Sequence, residues 1–133
     1  MGVSALAGLN FAISPSAYRP ELSPDPPPGE VIPFYWAEDR IAVNARMGGE
    51  TLTLILNSGA SHVALFHLPE AMARTPPIVS VFTTLEGARS AVPTCWTAEM
   101  SFSAGLRIGA LPAATVIRKD TIVDGLLPAA VFR

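Results

Sequence analysis

Leu54-Ile55-Leu56-Asn57-Ser58-Gly59-Ala60-Ser61 is the stretch on which the fold turns. A short apolar run stops at a small, polar, glycine-bearing turn. That is the pattern of a buried strand delivering a polar group into a cleft. Immediately upstream, Arg40 to Met47 alternates. Ile41, Val43, Ala45 and Met47 fall on one face, and Ala42, Asn44 and Arg46 on the other. Period two predicts a half-buried strand. Gly48-Gly49 supplies the positive φ that a tight hairpin turn needs, and Thr51 to Leu56 is the returning strand. The quoted turn therefore sits at the open end of a hairpin.

Downstream, Ser61 to Leu65 reads as a short strand. Leu68 to Ala73 reads as a short helix with Pro69 in its first turn, ended by Pro76-Pro77. Ile78–Thr84 and Ala88–Thr97 read as two strands around Leu85-Glu86-Gly87, with Pro93 marking an edge or a bulge. Ala98–Phe102, the short Leu106–Gly109 segment and Leu111–Arg118 are further strands. Leu126 to Phe132 is predicted to start a helix with Pro128 in its first turn. Phe34-Tyr35-Trp36 reads as core or strand packing, and Trp36 and Trp96 as core residues. Many short strands with frequent turns predict a mainly β, barrel-like or sandwich domain.

With one atom changed at Asn57, from amide nitrogen to carboxylate oxygen, the turn would read Asp-Ser-Gly-Ala-Ser. This resembles the active-site loop of retropepsin-like aspartic peptidases, single-domain subunits that dimerise to build one site. The order of elements supports the resemblance. A hairpin leads into the turn, a second glycine-tipped hairpin follows, and Val123-Asp124-Gly125-Leu126-Leu127 comes near the end. The resemblance implies a closed or partly open β-barrel with one or two short helices over residues 32–133, and a homodimer acting on peptide or protein substrates.

It also assigns roles. Asn57 stands at the position of the catalytic aspartate. Ser58 matches the hydroxyl residue that bonds across the dimer axis, and Gly59 the glycine whose amide approaches the catalytic side chain. Ala60 and Ser61 close the turn and line the substrate groove. Glu86, Gly87 and Ala88 form the tip of the flap over bound peptide. Leu126-Leu127 pack behind the loop, where Pro128 departs from the glycine usual in the family. The family's final dimer strand is expected to be missing after Arg133.

An aspartic peptidase uses two carboxylates that share one proton. One takes a proton from the attacking water and the other polarises the carbonyl. A carboxamide keeps the shape and the hydrogen bonding but loses the acid–base function, so the site as encoded is expected to be inactive. Three readings stand: an inactivating replacement in a working peptidase, a pseudoenzyme that keeps the groove, or a coincidence of strand and turn. Deamidation of Asn57 would restore a carboxylate. The alternative function is a non-catalytic β-domain that binds extended peptides or serves as a structural module.

The totals narrow the field. The chain has 133 residues, half of them hydrophobic and 15% charged, with a net charge of -2. That is a globular composition with no electrostatic case for nucleic acid or an anionic membrane surface. No apolar run approaches the roughly 20 residues of a membrane-spanning helix. A single cysteine, Cys95, excludes an internal disulfide and a cysteine cluster. It reads as a buried or half-buried free thiol in a strand. His62 and His67 lack a convergent third ligand, so no metal or other cofactor is expected. Asp124 reads as a turn residue before Gly125. Residues 1–31 begin mildly apolar, without the basic start of a secretory signal, and become proline-rich. Seven of the thirteen prolines fall between Pro15 and Pro33. This segment is expected to be a structureless arm.

Overall fold

The structure is a computed structural model that describes residues 11–14, 19–22, 31–72, 77–83, 86–119 and 121–132. Twelve strands are present among them. They are β1 (Phe11–Ser14), β2 (Arg19–Leu22), β3 (Phe34–Ala37), β4 (Arg40–Met47), β5 (Glu50–Asn57), β6 (Val63–Leu65), β7 (Ile78–Thr83), β8 (Arg89–Trp96), β9 (Met100–Ser101), β10 (Arg107–Ile108), β11 (Pro112–Thr115) and β12 (Gly125–Pro128). The fold is mainly β. Its helical segments among the described residues are 3-10 turns at Glu70–Met72, Ser103–Gly105 and Ala129–Phe132.

Ten strands form one sheet in the order β10-β9-β4-β5-β12-β6-β11-β8-β7, with β3 also paired to β4. The sheet is open, ending at β10 and β7, and does not close into a barrel. The hairpin expected from alternation is present. β4 and β5 pair antiparallel from Ala42↔Ile55 to Met47↔Glu50, and both turn glycines have positive φ, 57° at Gly48 and 104° at Gly49. Val43, Ala45, Met47, Leu52 and Leu54 lie on one face in the main core, with Leu65, Met100 and Leu127. Ala42 and Ile55 lie on the other, in a smaller cluster with Ala37, Phe66 and Val123. The middle of the sheet is thus covered on both faces.

The centre of the molecule is the passage of β12 between β5 and β6. β12 runs parallel to β5, with Gly125↔Leu54, Leu126↔Ile55, Leu127↔Leu56 and Pro128↔Asn57. It runs antiparallel to β6, with Gly125↔Leu65, while β6 pairs parallel with β11. Asp124 fixes the start of this crossing. Its Oδ2 accepts the Thr53 N–H at 2.7 Å, its own N–H donates to Thr53 O at 2.8 Å, and its carbonyl accepts the Phe66 N–H at 2.8 Å. Asp124 is therefore a bonding hub rather than only a turn residue. Asp124→Ala would leave a half-buried amide without its acceptor. The expected loss is about 1–3 kcal/mol, read as a lower urea midpoint at unchanged slope. Asp124→Asn, which keeps an acceptor oxygen, should recover most of it.

Several local expectations are corrected. Leu126-Leu127-Pro128 is strand, not the start of a helix, because the pairing with β5 and β6 claims the backbone. Of the helix expected at Leu68–Ala73, the described residues hold a 3-10 turn at Glu70–Met72, and Ala73 lies outside the described residues. Phe34, Tyr35 and Trp36 form a strand that is largely exposed, and Trp36 (47%) and Trp96 (57%) are both outside the core. β8 is an inner strand, paired to β7 and β11. Pro93 lies just past the end of the β11 pairing at Thr94 and opposite Val79 of β7. Cys95 is buried in β8, as expected. Phe11–Ser14 and Arg19–Leu22 differ from the expected structureless arm, pairing as a separate two-stranded sheet. Pro20 fits there because both strands of such a sheet are edges. The rest of 1–30 lies outside the described residues.

Candidate functional site

Asn57 ends β5, and the chain turns at Ser58-Gly59 before re-entering as β6. Pairing with Pro128 fixes the backbone of Asn57 from one side. The turn fixes its side chain, because Oδ1 accepts the Gly59 N–H at 2.9 Å. That side-chain turn is the reason for a short acceptor residue two positions before the glycine. The amide Nδ2 has no partner among the described residues. Asn57 and Ala60 are half-buried, while Ser58, Gly59 and Ser61 are exposed. A Cβ on Gly59 would meet only Asn57 Oδ1, at 3.6 Å, an ordinary contact. Space within one subunit therefore does not demand a glycine at 59.

Ser61 Oγ lies 2.8 Å from His62 Nδ1. The His62 ring stands edge-on to Phe82 of β7, with centroids 5.1 Å apart and planes at 81°. This contact joins the 57–61 turn to the β7–β8 hairpin, and neither residue stood out in the sequence for that purpose. An aromatic pair is worth about 0.5–1.5 kcal/mol beyond its buried area. Phe82→Ala should therefore speed amide hydrogen exchange in Ile78–Thr83 while leaving β4–β5 unchanged. His62→Ala should do the same, and the double variant should add little to either. Full additivity would show that the contact does not hold the hairpin.

The expected flap is a hairpin. β7 and β8 pair from Ile78↔Thr94 to Thr83↔Arg89. Glu86, Gly87 and Ala88 are exposed at its tip, and Gly87 has φ of 85°. Thr84 and Leu85 lie outside the described residues. The structure thus joins the 57–61 turn, through His62, to Phe82 near the tip end of the hairpin, while Glu86, Gly87 and Ala88 are exposed. A small groove of about 190 Å³ flanks the turn, lined by Ser61, His62, Val63, Pro112, Pro128 and Val131 among others. A larger one of about 730 Å³, beside Ile32, Ile108 and Phe132, shares Val131 with it but none of the turn's residues. The smaller is the relevant one because it shares the turn's own residues.

His67 Nδ1 is 3.6 Å from Asp124 Oδ1, and among the described residues no three His, Cys, Asp or Glu side chains converge as a metal site. No helix of the described residues is long and apolar enough to cross a membrane. Among known proteins, no family model matches this chain and no curated protein is significantly similar to it.

Proposed function

We propose that the chain is a retropepsin-like aspartic-peptidase subunit, two copies of which hold an extended peptide between their 57–61 turns and β7–β8 hairpins. Asn57 leaves this site able to bind but without the acid–base pair for turnover. The observation that carries the reading is the parallel pairing of β12 with β5. It sets Leu126-Leu127-Pro128 behind a turn whose residue-57 oxygen is held by the Gly59 amide. The exposed Ser58 hydroxyl is available for a bond to a second copy. The glycine at 59, which one subunit does not require for space, fits a place where another loop comes close.

The test uses the protein as encoded. A statine-type peptide, whose hydroxyl imitates the tetrahedral intermediate, should bind and slow amide exchange in residues 57–61 and in both strands of the hairpin. No binding, or protection confined to the groove at Ile32 and Phe132, would contradict the reading. One observation favours a purely peptide-binding module. β7 is an edge strand without a charged residue, and Ile78, Val79 and Val81 are exposed, so an extended peptide has a strand to pair with.

A further inference from the structure

The groove beside the turn has a polar end and apolar walls. Val63, Pro112, Pro128 and Val131 supply the walls, and Ser61 and His62 the polar end. The imidazole is oriented twice, by Ser61 Oγ on Nδ1 and by Phe82 against the ring. Nε2 is left with no partner among the described residues. No Asp, Glu, Lys or Arg lines the groove, and the ring's contacts on β7 and on its own turn are Phe82 and Ser61. A pocket with apolar walls and few fixed polar groups selects one side chain.

We propose that this groove is a specificity subsite for a glutamate side chain of the bound peptide, a step that rests on the peptide-binding reading above. The methylenes would lie on Pro112, Pro128 and Val131, and the carboxylate would meet His62 and Ser61. Each protonation state of the imidazole leaves donors for an anion. With a proton on Nδ1, the ring donates to Ser61 Oγ, and the hydroxyl hydrogen becomes free to donate elsewhere. Nε2–H is then a second, charged donor. With a neutral ring bearing its hydrogen on Nε2, the Ser61 hydroxyl hydrogen is used by Nδ1 and one neutral donor remains. In either state a carboxylate, with two charged acceptor oxygens, is met better than the carboxamide of glutamine, with one neutral acceptor.

The test measures binding of extended peptides to the full chain by calorimetry, using pairs that differ only by Glu or Gln and scanning that difference along the peptide. At one position Glu should bind about tenfold more tightly than Gln, as expected for a charge-assisted bond. His62→Gln should erase the gap while the Gln peptide still binds. His62→Phe, which keeps the ring contact with Phe82, should do the same and so controls for hairpin movement. Peptides that bind with no Glu–Gln difference at any position, or a difference that survives in both variants, would overturn the subsite alone. Failure of every peptide to bind would overturn the subsite and the peptide-binding reading together.

Discussion

On the proposed reading, N57D should raise cleavage of an unstructured polypeptide by at least about 10²–10⁴-fold over the Asn57 chain, the gain expected from restored acid–base catalysis. The change replaces one amide nitrogen by oxygen. Oδ1 keeps its Gly59 N–H donor and the strand pairing with Pro128 is unaffected, so the framework does not need to move. Two such carboxylates on a two-fold axis cannot both ionise, and the activity should fall on both sides of an acidic optimum. If, as proposed, one subunit supplies half of the pair, the rate per chain should rise with concentration. An Asn57→Ala variant should stay inactive, which separates the carboxylate from any loosening of the turn. A folded N57D protein without activity would mean that the turn is only a strand connection.

The largest stability effect is expected at Gly125. A Cβ there would lie 2.2 Å from the Ala64 carbonyl oxygen, 3.2 Å from its carbon and 3.3 Å from Leu54 Cδ2. The obstacle is backbone, and it cannot retreat. β6 is held by β11 on its far side, with Ala114↔Ala64 in register. Gly125→Ala should therefore cost about 3 kcal/mol or more, the upper end of what overpacking does, against a total of about 5–15 kcal/mol for a native domain. Chemical denaturation reads this directly. Gly109→Ala is the control, since nothing lies within 4 Å of its Cβ position and its φ is ordinary, and it should be near neutral. Near-equal midpoints for the two variants would mean that β12 is not wedged between β5 and β6. In the N57D background, Gly125→Ala should also lower activity, because Leu126 to Pro128 follow directly and back the turn.

Much of this architecture is legible in the chain, but unevenly. The β4–β5 hairpin could be read from alternation at 41–47 and from Gly48-Gly49, both local signals. The turn at 57–61 could be read because a strand, a short acceptor and a glycine follow one another. Leu126 to Phe132 could not. A short apolar run with an early proline suits a helix start or a buried strand equally, and the choice is made by β5, some seventy residues away. Asp124 is similar, since its bond to Thr53 spans 71 positions. The exposure of Trp36 and Trp96 runs against the usual burial of large aromatics, and nothing local announces it. His62 and Phe82 belong to different elements, and only the folded sheet places them in contact.

The central claim is that two copies of the 57–61 turn make one aspartic-peptidase-type site lacking only its carboxylates. Titrating N57D with a statine-type transition-state analogue tests it most directly. Cleavage should vanish at one analogue per two chains. One analogue per single chain, or a well-folded N57D protein that neither cleaves nor binds the analogue, would contradict it.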